Sequence, residues 1–256
     1  MKTLRYLLQA MFSICVISLP VSAELLVTRG IDALMHDDVR EVEEVAAALP
    51  SPMRELFKLN SMVLDLSWDE SRPALRREIE DTARLLQRHC DHDGPEDQSL
   101  CGQAHFALAY VQGIEGKMIL SSANARKAIA LLEEVIDREP ARMDERLYLG
   151  LLYYYTENLP PFVRSLGRTL KLVPDTPPGA GKPMIASVAQ SDSRMKGPAT
   201  FVWADVLSQG DEEERILALE IFTQLVNAYP DNERFLFNQQ ESLLAIDEQV
   251  VASSEF

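Results

Sequence analysis

The side chains best suited to chemistry are concentrated in one polar stretch of the sequence. They are the imidazoles, thiols and carboxylates of His89, Cys90, Asp91, His92, Asp93, Cys101 and His105. Thiolates and imidazoles are common ligands of zinc and other transition metals. Cys101 and His105 would share one face of a helix, because they are four residues apart. The stretch is therefore a candidate site for metal handling or for thiol chemistry.

A disulfide between Cys90 and Cys101 explains the same residues without a metal. The two cysteines flank a loop, and they are the ones that remain if the N-terminal segment carrying Cys15 is removed on export. Disulfides persist in oxidising compartments outside the cytoplasm. We therefore predict the Cys90–Cys101 disulfide, no metal ligands and no cofactor, with a metal site or two free thiols as the alternatives.

Other patterns associated with catalysis are incomplete. Residues 179–183, with the sequence GAGKP, resemble a phosphate-binding loop. Such a loop needs glycine where Thr176 stands, and serine or threonine where Pro183 stands. The serines of the SSANA and SVAQSDS segments have no histidine near them in the sequence to act as a general base. We predict no catalytic residues, and hence a protein that is not an enzyme.

The N-terminal segment has the layout of a secretory signal peptide. Lys2 and Arg5 precede a 13-residue apolar run, which is followed by the small residues of Val21-Ser22-Ala23. The run is shorter than the about 20 residues that a membrane-spanning helix needs. We predict a signal peptide over residues 1–23, cleavage after Ala23, and a periplasmic protein without stable membrane insertion. An uncleaved membrane anchor is the alternative.

The charge of the chain limits the choice of partner. The net charge is −15, and it becomes −17 once Lys2 and Arg5 are removed with the signal peptide. Nucleic-acid binding needs a basic face, and the sequence has no cluster of lysine and arginine to form one. We predict a protein or peptide partner and no nucleic acid. The acidic surface either keeps the protein in solution or attracts a basic partner.

The apolar pattern of the mature chain predicts helices. Leu75, Ile79, Ala83 and Leu86, for example, are three or four residues apart and share one helix face. Residues 104–119 are predicted as another helix, followed by a turn at residues 121–124. Residues 183–190 are apolar enough for a short additional helix. Prolines lie at the ends of these segments, where helices end.

The spacing of several residues indicates a helical repeat. Leu149, Gly150 and Tyr153 stand where a tetratricopeptide repeat has its Leu-Gly pair and its tyrosine. Pro174 stands at the closing proline of the repeat. Pro140 precedes it by 34 residues, which is the period of this repeat.

Residues 109–176 and 199–232 therefore resemble the tetratricopeptide repeat family. The next closing proline, Pro230, follows Pro174 by 56 residues, which exceeds the period by 22 and places one insertion at about residues 177–198. The clearest repeats are residues 109–142, 143–176 and 199–232.

A shorter likeness points to exported bacterial proteins. The run Tyr153–Tyr155 is followed by Leu159–Pro161, and the combination is similar to a stretch in exported bacterial tetratricopeptide-like proteins. This likeness agrees with the predicted periplasmic location.

The resemblance implies an all-α fold, a tetratricopeptide-like solenoid of antiparallel helix pairs in a right-handed superhelix. We expect one such domain over residues 24–251 and a tail over residues 252–256. The two helices of a pair cross closely only where their side chains are small. We assign this role to Gly116 or Gly150 on the first helix and to Ala128 or Ala218 on the second.

The family also implies a scaffold that binds a protein or peptide on its concave face and has no chemistry of its own. The first helices line that face, so the predicted binding residues are Tyr110, Lys117, Tyr154 and Tyr155. We expect a periplasmic scaffold, such as an accessory of an envelope or transport assembly. For the tyrosines, packing between helices is the alternative. For the whole protein, the alternative is a metal-handling or thiol/redox role of the His89–Cys101 loop.

Overall fold

The computed structural model describes residues 21–68, 71–91, 93–159, 161–169 and 173–254. Helices account for 80% of the described residues, and no strand occurs among them. The prediction of an all-α protein is confirmed. Residues 1–20 of the predicted signal peptide lie outside the described residues, and the predicted cleavage bond after Ala23 falls inside the first described helix.

Twelve α-helices follow one another along the described residues. In chain order they are α1 (Val21–Met35), α2 (Val39–Ala48), α3 (Met53–Trp68), α4 (Pro73–Leu86), α5 (Pro95–Ile114), α6 (Met118–Arg138), α7 (Met143–Glu157), α8 (Pro161–Thr169), α9 (Gly181–Ala189), α10 (Lys196–Ser208), α11 (Glu212–Ala228) and α12 (Glu233–Ser254). A single turn of 3₁₀ helix, Gln87–His89, extends α4. The short helix predicted near residues 183–190 corresponds to α9.

Several helices begin at residues that suit a helix N-terminus. The carboxylates of Asp38 and Asp211 each accept a hydrogen bond of 3.0 Å from a backbone N–H in the first turn of α2 and α11, respectively. Pro73 and Pro95 are the first residues of α4 and α5, where the missing proline N–H has no intrahelical partner to lose. The aspartate and proline residues between the apolar segments therefore determine where these helices begin.

Neighbouring helices pack in pairs, as the sequence predicts. The pairs are α1 with α2, α3 with α4, α5 with α6, and α10 with α11, while α12 packs on α11. Helix α5 lies at the centre of the first half of the chain and contacts α3, α4, α6 and α7. Because it has neighbours on all sides, 14 of its 20 residues are buried.

The turn between α5 and α6 lies earlier than the sequence predicts. Helix α5 ends at Ile114, and Gly116 adopts a positive φ of 71°. The N–H of Lys117 donates to the carbonyl of Gln112 at 2.8 Å, and the N–H of Gly116 donates to the carbonyl of Gly113 at 3.0 Å. These two bonds form a Schellman motif, which ends a helix at a left-handed glycine. Gly116 is thus a helix terminator, and its predicted role as the small residue at a helix crossing is wrong.

The polar residues expected to form that turn are helical instead. The hydroxyl of Ser121 donates to the carbonyl of Ala109 at 2.7 Å, and the amide of Asn124 donates to Gln112 at 2.9 Å. These side chains therefore bond to the neighbouring helix α5. The close crossing of α5 and α6 occurs at Gly102, where a Cβ would lie 2.8 Å from Leu132.

Helix α7 packs most closely against α9, which lies inside the predicted insertion. A Cβ on Gly150 would lie 3.0 Å from the Cβ of Met184, and one on Gly181 would lie 2.5 Å from the backbone nitrogen of Tyr154. The predicted repeat of residues 143–176 instead pairs α7 with the segment that ends at Pro174. Helix α9 fits against α7 because it brings Gly181 to the crossing, whereas Phe162, the second residue of α8, is large and 75% exposed.

The two ends of the described chain meet. Helix α1 packs on α10, and the buried amide of Asn232 donates to the backbone carbonyl of Met35 at 2.8 Å. Arg234 forms ion pairs with Asp65 at 2.7 Å and with Asp37 at 3.3 Å. The helix pairs therefore curve until the N-terminal pair rests on the C-terminal helices.

Two observations bear on the predicted compartment. The sulfurs of Cys90 and Cys101 are joined in a disulfide, as predicted, with Cα atoms 5.2 Å apart. This bond is consistent with an oxidising compartment. Among the described helices, none combines the length and the apolar character that crossing a bilayer requires.

Replacing Cys90 and Cys101 together by alanine should lower the free energy of unfolding by about 3 kcal/mol, because the bond closes a loop of 11 residues in the unfolded chain. Urea denaturation of the variant and of the wild type measures the difference. Wild-type protein kept in a reductant serves as the control and should approach the variant. Alkylation of both thiols in denatured, unreduced wild type would contradict the bond.

Replacing Gly181 by alanine should lower the free energy of unfolding by about 2 kcal/mol, since the new Cβ would collide with the backbone of Tyr154 and force α7 and α9 apart. Thermal or urea unfolding measures the loss. Gly113→Ala is the matched control, because the nearest atom to its Cβ would be the Ser121 hydroxyl at 3.4 Å. Similar stabilities of the two variants would show that α9 does not pack on α7 in this way.

A central apolar cavity as candidate binding site

One cavity lies at the centre of the helix array. We call it the central cavity; its lining includes Ile31, Phe57, Tyr110, Tyr148, Phe201 and Asp205. Its walls come from α1, α3, α5, α7 and α10, which we call the inner helices, and its volume is about 200 Å³. Each inner helix is the first member of a packed pair, so the second members lie on the outside.

The sequences of the inner helices explain how they form this wall. In α7 the cavity-lining residues Leu147 and Tyr148 lie four and three residues before Leu151, so the three side chains form one stripe. In α10 Phe201 and Val202 lie on a similar stripe. The other faces of both helices pack against their neighbours. An inner helix is therefore apolar on more than one side. A search of the sequence for a single apolar helix face does not identify such a helix.

A second cavity adjoins the first. We call it the side cavity; it has a volume of about 280 Å³, and its lining includes Ala109, Gly113, Met118, Ser122, Leu159 and Val173. Phe106, Tyr110 and Tyr155 line both cavities and thus mark the boundary between them. Next to the side cavity, Ile119 and Leu120 expose 67% and 53% of their surface. The side cavity therefore lies between the central cavity and an apolar surface patch.

The structure brings two of the four predicted binding residues to the cavities. Tyr110 and Tyr155 line both, and Tyr155 is 48% exposed. Tyr154 is 5% exposed and packs against α9, with its hydroxyl 3.4 Å from Gln209, so the prediction that it is exposed is wrong. Burial raises the pKa of the Tyr154 hydroxyl. Lys117 lies in the turn before α6 and forms an ion pair with Glu115 at 2.6 Å.

The buried position of Tyr154 follows from the helical period. Adjacent residues on a helix are rotated by about 100°, so Tyr154 and Tyr155 face different directions. Tyr155 faces the cavities, whereas Tyr154 faces α9. The sequence could not distinguish the two residues, because the helix that covers Tyr154 lies in the predicted insertion.

Charged residues border the central cavity at the start of α7 and α10. Asp144 and Arg194 lie there and form an ion pair at 2.6 Å. The neighbouring Glu145 is buried, accepts a hydrogen bond from Ser99 and lies 3.3 Å from Arg142. Burial is the largest influence on this carboxyl and raises the pKa of Glu145. The acids at this end of the cavity are thus engaged with basic or hydroxyl groups.

Asp205 is the charged residue of the central cavity that lacks such a partner. It is half-buried, roughly 14 Å along α10 from the first residue of that helix. Its carboxylate forms no hydrogen bond and no ion pair with the residues that the structure describes. Burial alone raises the pKa of Asp205. The sequence could not single out this residue, since only the fold shows that its helix face lines a cavity.

The Cys/His cluster is occupied by interactions within the protein. The ligand atoms of Cys90, Cys101 and His105 lie within 4.8 Å of one another, but both sulfurs belong to the disulfide. The buried imidazole of His105 has its Nδ1 atom 2.6 Å from Asn124 Oδ1 and 3.1 Å from Gln87 Nε2. Burial lowers the pKa of His105. His92 lies outside the described residues. In this state the cluster offers no thiolate to a metal.

Replacing Tyr154 by alanine should cost about 3 kcal/mol or more of unfolding free energy, because it removes a buried aromatic ring from the contact with α9. Tyr155→Ala, one residue along the same helix, is the matched control and should cost less than about 1 kcal/mol, since that side chain is half-exposed. Urea denaturation of both variants gives the comparison. A larger loss for Tyr155→Ala would show that their orientations are reversed.

Comparisons with protein-family models, curated proteins and solved structures found no match to this chain.

Proposed function

We propose that the protein is a binding protein built on a tetratricopeptide-like scaffold, which receives an apolar group of a protein or peptide partner in its central cavity. The observation that carries this proposal is the convergence of five inner helices on one apolar cavity. Binding sites are concave and mostly apolar, with a few polar groups placed among the apolar walls. The central cavity has this composition.

The arrangement of the helices supports a tetratricopeptide-like scaffold. First and second helices alternate between the inside and the outside of the array along most of the chain, as in tetratricopeptide solenoids. Gly150 lies at a close helix crossing, where the family places a small residue. We propose a right-handed superhelix in which α9 is the second helix of the pair that begins with α7. Helix α8 is then an additional helix in the connection between them.

The size and access of the central cavity suit an apolar group. Cavities of about 150 Å³ in protein cores hold a molecule of the size of benzene. The central cavity is larger, at about 200 Å³, and its boundary with the side cavity at Tyr110 and Tyr155 offers a route of entry. The exposed residues Ile119 and Leu120 would contact the part of the partner that stays outside.

Binding explains the polar residues of the cavity better than catalysis does. A general acid or base needs a partner group within hydrogen-bond reach of the reacting atoms. Asp144 is engaged with Arg194, and no second acid or base hydrogen-bonds to Asp205 among the described residues. A thiol or metal function would require reduction of the Cys90–Cys101 disulfide first.

The disulfide and the N-terminal sequence together favour a periplasmic location. The bond is consistent with an oxidising compartment, and Lys2, Arg5 and the following apolar run have the layout of an export signal. The partner would then be another envelope protein, such as a component of an envelope or transport assembly.

Replacing Val202 by phenylalanine should abolish partner binding while leaving the fold intact, because the larger side chain fills part of the central cavity. To measure binding, a photocrosslinking amino acid is placed at position 155, and its adducts are detected in intact cells. The double variant with Val202→Phe should lose the adducts and keep its melting temperature within a few degrees.

Val39→Phe is the matched control, since Val39 is 63% exposed and lies outside both cavities. It should leave the adducts unchanged. Adducts that persist in the Val202→Phe variant would overturn the assignment of the central cavity as the binding site.

A further inference from the structure

The central cavity has an excess of negative charge. Asp144 and Arg194 neutralise each other at 2.6 Å, and the neighbouring Glu145 is engaged with Arg142 and Ser99. Asp205 also lines this cavity, and no basic group among the described residues forms an ion pair with it. The protein as a whole has 40 acidic and 25 basic residues, so the surrounding field also favours cations.

The isolated carboxylate decides which occupants the cavity favours. Asp205 is half-buried, and burial already raises its pKa, which means that the charged form is poorly solvated. An uncharged apolar occupant would displace water from this carboxylate and increase the cost of its charge. A cation would replace the lost water with an ion pair. The site should therefore bind a positively charged group more tightly than a neutral one of the same shape.

The walls next to Asp205 suit a cation on an aliphatic stem. Phe201 and Val202 precede Asp205 by four and three residues and so lie on the same face of α10. Aromatic rings of Tyr110 and Tyr148 also line the cavity, and the faces of such rings attract cations. An aliphatic stem can lie along Phe201 and Val202 while its charged end reaches the carboxylate.

Anionic occupants are disfavoured by the same groups. The basic residue on the cavity wall, Arg194, is held by Asp144 and lies near Glu145. An anion at this position would have to compete with carboxylates that are fixed by the fold. The charges that line the central cavity therefore favour a cationic occupant over an anionic one.

We propose that the group received by the central cavity is an alkylammonium ion, a positive charge at the end of an aliphatic stem, with Asp205 as its counter-ion. This inference rests on the proposed binding function and specifies the chemistry of what is bound. Two sources supply this chemistry, namely a lysine side chain of a protein partner and a free organic amine.

Isothermal titration of the purified, disulfide-bonded protein with n-hexylammonium, 1-hexanol and hexanoate tests the proposal. We expect hexylammonium to bind about tenfold more tightly than hexanol, and hexanoate to bind more weakly than either. Asp205→Asn should remove the preference for hexylammonium, because the counter-ion is lost and hexanol no longer has to desolvate a carboxylate. Asp192→Asn is the matched control, because it removes one acid from an exposed position and should leave the preference intact.

The outcomes separate this inference from the proposed function. Equal binding of hexanol and hexylammonium, or a preference that survives Asp205→Asn, overturns the inference and leaves the apolar cavity as a binding site. No binding of any of the three compounds overturns both. Melting curves of the Asp205→Asn variant confirm that it is folded, and Asp205→Ser provides a second variant with the same expected result.

A peptide pair identifies the source of the cation. One peptide is acetyl-Leu-Leu-Lys-Leu-Leu-amide, and the other carries norleucine in place of lysine. Displacement of hexylammonium by the lysine peptide but not by the norleucine peptide supports a partner's lysine. Failure of both peptides, with hexylammonium still dependent on Asp205, supports a free amine.

Discussion

The packing of helix α7 is the constraint on which the rest of the structure depends. Its buried residues run almost without interruption from Leu147 to Thr156, because α6, α9 and the cavity surround it. Gly150 lets α9 approach its backbone, and Gly181 allows the same approach from the other side. One side of α7 belongs to the core shared with α6, and another to the core shared with α9 and α10. A displacement of α7 would therefore affect both cores and the cavity wall together.

The proposed binding role of the central cavity has a cost in packing. Protein interiors are normally filled to high density, and empty apolar space lowers stability. Here the inner helices surround the space with large apolar side chains and add a carboxylate that lacks an ion-pair partner among the described residues. Both features reduce the stability of the empty protein. A ligand that fills the space would recover part of this loss, which is the arrangement expected of a site kept for function.

Much of the fold could be predicted from the sequence because helix periodicity and proline positions are local signals. The spacing of Leu75, Ile79 and Ala83 indicated a buried helix face, and all three residues are buried in α4. The disulfide was predictable from the compartment and from the number of cysteines. The errors have specific physical causes. Gly116 ends a helix because a left-handed residue is needed there, and the side chains of Ser121 and Asn124 bond to a neighbouring helix instead of forming a turn.

The candidate site was less predictable than the fold. Tyr110 and Tyr155 were identified from their type and repeat position, but Asp205 has no local signal that separates it from a surface acid. The partner of α7 was misassigned because a repeat period gives the spacing along the chain and not the contacts in space. The pairing of Asp144 with Arg194 joins residues 50 positions apart, which requires the folded structure to be seen.

The contact between the two ends of the chain has a consequence for how the protein reaches its final form. The hydrogen bond from Asn232 to Met35 spans 197 residues, and the closure of the cavity wall by α1 and α10 also joins distant parts of the sequence. Pairs such as α5 and α6 can form as soon as their own residues are available, since their contacts are local. On the proposed export route the chain would emerge from its N-terminus, so part of the apolar surface of α1 would stay uncovered until α10 to α12 had crossed the membrane. On that route the cavity wall would be completed late in folding, and a chain that had not fully crossed the membrane would lack the central cavity.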